Sequence, residues 1–397
     1  MIVLIEQGAI AGQVKLAILL FIDYVSIKGK LEVAMEGDYY GLAYRNILRW
    51  MALIQCPRFG IKQLNFLLGV LPCVLQIFHL TREERSLYKF SPVQLDFLDN
   101  VNWHSLEIQL DWCIENQIAI IPYVHPNYPD LLKQTNRPPI VLFARGMLEV
   151  LDQVQIGFVG SRTPSPYGVR AAEEIVMQLS QTNFAITSGM AIGIDGVVHK
   201  AALANGSNTI AVMGAGFRHV YPKRHMSLAM DICNQGVLIS EFLPDVPPVQ
   251  TNFPRRNRII AGLSNGVVVV EAAVKSGSLI TAKYALEEGR DVFAIPGNIF
   301  NPLSQGCHHL LQQGAKLVCN ADDIVDEYTA ITITSQIEQK KNLAEPELLA
   351  SVDHDTTPVD VIIQRSNLPV EQVLMELLEL EVQGLVAAVP GGFIRNT

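Results

Sequence analysis

The run Val154-Gln155-Ile156-Gly157-Phe158-Val159, closed by Gly160-Ser161-Arg162, decides the fold. It is apolar nearly throughout and lacks the polar alternation of a strand with one wet face, so it reads as a strand covered on both sides. Helix spacing follows directly, with Val169, Ala172, Val176 and Leu179 three or four residues apart. Working outward, the pair repeats: strand patterns at 184–187, 209–213, 237–240, 267–271 and 291–295 are separated by stretches long enough for helices. Strands covered on both faces and joined by helices make a parallel sheet, so an α/β, Rossmann-like domain is expected. Upstream, 118–124 and 140–144 are further strand candidates, joined through Pro129 and the pair Pro138-Pro139.

The chain has 397 residues, 49% hydrophobic and 17% charged, which is enough for two or three domains and a large core. That composition excludes a disordered or collagen-like polymer. The net charge of −9 excludes coating of nucleic acid by bulk charge. The acidity is unevenly placed: residues 329–397 hold 4 Lys/Arg against 10 Asp/Glu, whereas residues 160–258 hold 9 against 6. An anion site therefore belongs to the middle of the chain. The six cysteines are scattered with no C-x-x-C pair, which points to reduced thiols in a cytoplasmic protein. His308 and His309 are adjacent and so project apart; no metal and no cofactor is assigned. The apolar run 16–27 is too short for a membrane span and carries Asp23, so no membrane association is expected. Residues 1–34 show no clear organisation and are left unassigned.

The flanks have their own character. Between 40 and 120 the apolar spacing is helical, as in Leu48, Met51, Ala52 and Leu64, Leu67, Leu68, broken by the turn from Pro57 to Gly60. A packing module without chemistry of its own is expected there. After a polar stretch around 332–345, Thr356-Thr357-Pro358 is expected to cap a helix carrying Val359, Ile362 and Ile363. A second helix follows with Val370, Val373, Leu374, Leu377 and Leu378, then a hairpin turning at Pro390-Gly391-Gly392. This is the pattern of a helix-turn-helix with a wing. The second helix carries Glu371, Glu376, Glu379 and Glu381 and no Lys or Arg, so it is a poor reader of duplex DNA and a better protein-contacting or self-regulatory element.

In an open parallel sheet ligands meet the carboxyl ends of the strands, where each following helix points free N–H groups. Those ends are marked here. The first strand is followed by Gly160, Ser161 and Arg162, small residues for close approach and a guanidinium able to fork onto a phosphate. The second leads into Ser188-Gly189 and on to Asp195, with His199 one turn later, and the third into Gly214-Ala215-Gly216-Phe217, then Tyr221-Pro222-Lys223. Arg255, Arg256, Asn257 and Arg258 open a helix, with pairing to Glu241 or Glu271 as the alternative use of individual arginines. Ser276, Gly277, Ser278 and Thr281 open another. Neither glycine loop is a G-x-G-x-x-G dinucleotide fingerprint, and no G-x-x-x-x-G-K-[ST] occurs.

Taken in order, Gly160-Ser161-Arg162, Ser188-Gly189 to Asp195 with His199, Tyr221-Pro222, Phe253-Pro254-Arg255-Arg256-Asn257-Arg258, Ser276 to Ala282, Pro296-Gly297, and Gly306-Cys307 through Gly314-Ala315 resemble the DNA-processing protein A family, DprA or Smf. The resemblance spans about residues 125 to 325. It implies a Rossmann-like domain at 116–330, a small helical SAM-like domain at 35–115, a linker at 331–344 and a winged helix at 345–397. It further implies a dimeric, non-enzymatic protein of natural transformation that binds and protects incoming single-stranded DNA and helps load the RecA recombinase. Carried over by motif, Gly160, Ser161 and Arg162 would contact phosphate, Lys223 would support the same pocket, and Phe217 would offer a ring to a base. The block Arg256-Asn257-Arg258 would line the strand's path, and the 306–315 region resembles the family's self-association surface. One departure stands out: Ile192 occupies the place of an arginine usual in the second loop, so Asp195 and His199 are expected to brace the following helix. The alternative is a nucleoside-monophosphate hydrolase, but such relatives carry P-G-G-x-G-T-x-x-E, and no carboxylate follows Thr281 at that spacing. Glu271 is the nearby acid.

Overall fold

A computed structural model describes residues 37–328, 348–366, 368–382 and 385–395. The N-terminal extension and the polar linker fall outside these residues. The described chain begins with five helices, α1 (Gly37–Gln55), α2 (Ile61–Val70), α3 (Arg82–Ser86), α4 (Pro92–Asp99) and α5 (Trp103–Glu115). Local chemistry starts several of them: Thr81 and Glu84 form a capping box at α3, Ser91 and Gln94 another at α4 with Pro92 in the first turn, and Asn102 caps α5.

Nine strands follow: β1 (Ala119–Pro122), β2 (Val141–Gly146), β3 (Gln155–Val159), β4 (Ala185–Ser188), β5 (Thr209–Val212), β6 (Gly236–Ser240), β7 (Gly266–Val269), β8 (Asp291–Ala294) and β9 (Lys316–Leu317). Between them lie α6 (Asp130–Lys133), α7 (Pro166–Leu179), α8 (Ile194–Ala204), α9 (Met226–Gln235), α10 (Asn252–Leu263), α11 (Gly277–Glu287) and α12 (Gln305–Gln312), and α13 (Asp322–Val325) comes after the last. The sheet order is β1-β2-β6-β5-β4-β3-β7-β8-β9. From β6 to β9 every neighbouring pair is parallel, while β1 and β2 add an antiparallel edge beside β6. The fold is thus a mostly parallel α/β sheet, and the strand patterns read from the sequence fall on its eight longer strands. The two-residue β9 escaped notice because two residues carry no periodicity.

Helices cover both faces, with α8 and α9 on one and α10 and α11 on the other. Alternation along the strands sorts side chains between two cores. Phe143, Ala211 and Leu238 face a cluster holding Leu228 and Ile232 of α9, whereas Leu142, Ile210, Val212 and Ile239 face one holding Ile259, Ile260, Ala282 and Ala285. The N-terminal helices join the first cluster through Met51, Leu64, Leu106, Leu110 and Cys113, so they share a core with the sheet.

The second compact unit begins at Val325. Its described part contains α14 (Val359–Ser366), α15 (Val370–Val382) and the antiparallel hairpin of β10 (Val386–Val389) and β11 (Gly392–Arg395). Leu348, Leu349, Val352, Ile362, Val373, Leu377, Leu380 and Val386 form its core. The expected cap at Thr357 is not one: its hydroxyl accepts from the Asp353 N–H at 2.9 Å and its backbone pairs with Phe393 of the wing. The wing needs those backbone bonds, and the helix begins after Pro358 without a hydroxyl cap.

Candidate nucleic-acid interface

Parallel pairing brings the carboxyl ends of β3, β4, β5 and β7 to one edge, and the chain reverses its direction of winding between β3 and β7. The loops there pack so closely that side chains are excluded. A Cβ on Gly160 would lie 2.5 Å from the Ile194 side chain, and one on Gly193, held at φ +86°, would lie 2.2 Å from the Ser161 carbonyl. The Ile194 N–H donates to that carbonyl at 3.1 Å, which latches the loop after β3 to the start of α8.

A helix N-terminus opening on such an edge favours an anion, and the chain supplies its own at two of them. Glu271, almost fully buried, accepts from the Ser165 N–H at 2.8 Å and the Ser165 hydroxyl at 2.5 Å, sealing the start of α7. Asp195, in the first turn of α8, accepts from the Ala191 N–H at 3.2 Å. Burial holds its carboxyl above the usual carboxylate range, against the pull of the nearby Arg256. His199 is wholly buried, with Nδ1 2.7 Å from the Thr209 hydroxyl, and burial pushes it down to about 3, so the ring is neutral. Both residues brace α8.

The arginines of α10 part company. Arg256 runs inward and is 3% exposed. Its Nη1 donates to the Val212 carbonyl at 2.5 Å and to the Gly189 carbonyl, tying the ends of β4 and β5 together. Burial pulls this guanidinium down to about 10, so it is still charged at neutral pH. Arg255 and Arg258, one turn apart, share the buried Glu241: Arg255 donates through Nε at 3.1 Å and Nη2 at 2.8 Å, and Arg258 through Nη2 at 2.5 Å. The pairing with Glu241 that the sequence left open is thus realised. The Arg255 side chain remains 54% exposed and that of Arg258 only 16%.

The remaining cations face solvent. Arg162, Lys223 and Arg224 are exposed, and no carboxylate pairs with them among the described residues. The Arg162 guanidinium lies 5.8 Å from the ring centre of Phe253, and Tyr221 is 5.6 Å from the same ring at 45°. Tyr221 is 52% exposed, and Phe253 rests on Gly214, where a Cβ would come within 2.8 Å of its ring. A guanidinium, two aromatic rings and an ammonium thus run along the edge.

Several residues expected at the interface are elsewhere. Phe217 is buried in the first core, the cluster that also holds Phe143, Leu228, Leu243 and residues of the N-terminal helices. Its ring is not presented to a base. Arg256 is a backbone clip with no face to solvent. Thr281 is fully buried and Ser278 nearly so, its hydroxyl donating to the Gly160 carbonyl at 2.8 Å. Ser161 is largely covered, and its hydroxyl accepts from the Thr163 N–H at 3.1 Å. Asn257 is half-buried, with Oδ1 taking Arg256 Nε at 3.0 Å. Ser276 caps α11 and the exposed Gly277 follows it, which leaves this helix start open. The sequence reading passed over the ring pair Tyr221 and Phe253, although both stood inside basic motifs.

Comparison with known proteins agrees on family and fold. The DNA recombination-mediator protein A family matches residues 119–329, and a DprA winged helix domain matches 334–392. Protein Smf of Escherichia coli (strain K12) is 46% identical over 302 residues, covering 73% of this chain and 81% of that protein. DNA processing protein DprA of Bacillus subtilis (strain 168) is 44% identical over 54% of this chain and 72% of its own length. Among solved structures, that of DNA processing protein A from Streptococcus pneumoniae superposes with a TM-score of 0.62 at 35% identity, covering 74% of this chain and 99% of that one. DNA processing protein A from Helicobacter pylori, whose structure describes a single-stranded DNA binding mode, gives 0.50 at 26% identity over 54% of this chain and 97% of that one.

Proposed function

The chain belongs to the DNA recombination-mediator protein A family, the DprA/Smf proteins, and from that premise we propose that it binds single-stranded DNA along the carboxyl edge of its sheet. The observation that carries this reading is the row of exposed Arg162, Tyr221 and Lys223 with the half-buried Phe253 ring between Arg162 and Tyr221. Arg162, Lys223 and the outer part of Arg255 contact phosphates, the open start of α11 at Ser276 and Gly277 offers backbone N–H groups, and Tyr221 with Phe253 stacks on bases. Stacking on rings and pairing with phosphates are both tolerant of sequence. Gly160, Ser161, Arg256, Asn257, Arg258, Ser278 and Thr281 act one step behind, shaping the edge.

In the cell the protein protects incoming DNA during natural transformation and helps load RecA, as a cytoplasmic homodimer associating through the 306–315 region. It works by binding and performs no catalysis. Glu271 supports that choice over a nucleoside-monophosphate hydrolase, because both of its oxygens are spent on Ser165. The division into a helical module at 35–115, a sheet domain at 116–330 and a winged helix from 345 accompanies this reading.

The test is a gel-shift comparison of single-stranded and duplex oligonucleotides at two salt concentrations. Single strands should be preferred, and Arg162→Ala should lower affinity and reduce the log–log salt slope by about 0.7, the value for one lost phosphate contact. Equal affinity for both forms, or an unaffected mutant, refutes the proposal. Release of free base from nucleoside monophosphates, abolished by Glu271→Gln, would establish the hydrolase instead.

A further inference from the structure

We propose that the outward face of α15, an exposed row of Val370, Leu374 and Leu378 with Met375 beside it, docks a protein segment that is apolar at its centre and rimmed by Lys and Arg. The inner side of this helix is accounted for, since Val373, Leu377 and Leu380 fill the core of the second unit with Ile362 and Val386. Among the described residues the outer side has no such cover. Val370, Leu374, Met375 and Leu378 are 52%, 49%, 68% and 64% exposed. Spacing of four residues aligns Val370, Leu374 and Leu378 in one row, so they form a contiguous strip. A helix apolar on both sides is normally covered on both, and exposed apolar strips of this kind mark interaction sites.

Charge selects the occupant. No Lys or Arg occurs along α15, and residues 329–397 carry 4 basic against 10 acidic residues. Glu381, three residues beyond Leu378 and so on the same side, receives the Ala388 N–H at 3.3 Å and has no basic partner among the described residues, whereas Glu376, two residues from Leu374, lies on the far side of the helix with the Gln372 side chain at 2.9 Å. Asp360 of α14 is also exposed. Nucleic acid and anionic lipid are repelled by such a rim. A second copy would match the apolar row but would set acid against acid, which is a standard means of excluding a partner. A segment with cationic edges satisfies both the strip and its border. Most winged helices that read duplex DNA do so through the equivalent helix, so this one has exchanged a DNA-contacting surface for a protein-contacting one.

The probe is a fluorescent amphipathic peptide of about five helical turns with Leu on one face and Lys elsewhere, titrated into the full chain. A matched peptide carries Glu in place of Lys. The variant is Leu374→Gln with Leu378→Gln, both exposed positions where Gln keeps helix propensity. The Lys peptide should bind the unaltered chain and lose more than about tenfold in affinity, ~1.4 kcal/mol, against the variant, while the Glu peptide does not bind. Equal binding to both proteins, binding of the Glu peptide, or no binding at all overturns the proposal. A doubling of mass with concentration that the variant abolishes assigns the face to a second copy, and binding to anionic vesicles assigns it to lipid; either result overturns it. Single-stranded DNA affinity should be the same in variant and unaltered chain, and a parallel loss would put the face on the DNA path and overturn it too. A chain that bound the peptide but no DNA would sink only the function proposed above.

Discussion

Three arginines within four residues of α10 receive different tasks because successive helical positions point about 100° apart. Arg256 has no route to solvent, and its charge is met by two carbonyls and the nearby Asp195. Removing it leaves two buried carbonyls without this donor, so Arg256→Ala should cost roughly 1–3 kcal/mol for each, read as a lower midpoint in urea unfolding. Lys at this position could offer its one nitrogen to the two carbonyls but would lose the Nε bond to Asn257, so it should be less damaging than Ala. The aromatic residues divide in the same way. Phe217→Ala should destabilise by about 3–5 kcal/mol through loss of core packing. Tyr221→Ala should leave the melting temperature nearly unchanged and weaken single-strand binding by about 1–3 kcal/mol, the worth of one stacked base. The opposite pattern would return the stacking role to Phe217. Sequence marks all of these residues as candidates, but burial separates them, and burial depends on which helices lie above.

At the scale of elements, the helix starts gathered at the carboxyl edge are general anion traps, and this molecule has closed two of them. Glu271 and Asp195 occupy the starts of α7 and α8, whereas the start of α11, capped by Ser276, remains open. The motif spacing conveyed that loops and helix starts coincide. It did not convey that the chain's own carboxylates reach into them, since Glu271 and Ser165 are 106 residues apart. The winged helix is the converse case, because α14, α15 and the hairpin follow from local pattern alone and their core is local as well. That module should contribute little to DNA affinity. Deleting residues 340–397 should change single-strand binding by less than about tenfold, ~1.4 kcal/mol, in the same gel-shift assay. A larger loss would mean that the acidic helix belongs to the DNA path.

At the scale of the whole first unit, the helices before the sheet are structural partners of the site. The Arg218 guanidinium, in the loop after β5, lies 4.8 Å from the Trp112 ring of α5 and pairs with Asp245 at 3.0 Å. The loop leading to Tyr221 and Lys223 is thereby held from the side of the helical module. At the opposite end of β5, against Thr209, the buried His199 is neutral. Its folded pKa of about 3 lies below the ordinary value of 6.5, so the unfolded chain binds more protons between the two. Stability from this residue is fully present above pH 6.5 and is lost as pH falls toward 3. Asp195, shifted upward, works in the opposite sense. Thermal melts between neutral pH and about pH 4 should therefore show a steeper loss for the unaltered chain than for His199→Gln; identical slopes would remove His199 from the account.

The sequence by itself determined the order and type of the longer strands, the parallel-rich sheet, the family, and the edge at which cations and glycines collect. These follow from periodicity, caps and motif spacing, which are properties of neighbours along the chain. Tertiary structure alone decided which of the collected residues meet solvent. Arg162, Lys223, Tyr221 and Phe253 are presented, whereas Arg256, Phe217 and Thr281 are enclosed, although all belong to the same motifs. The reason is physical: exposure is set by the elements packed around a residue, and those arrive from far along the chain, the core shared with the N-terminal helices around Phe217 and the ends of β4 and β5 around Arg256.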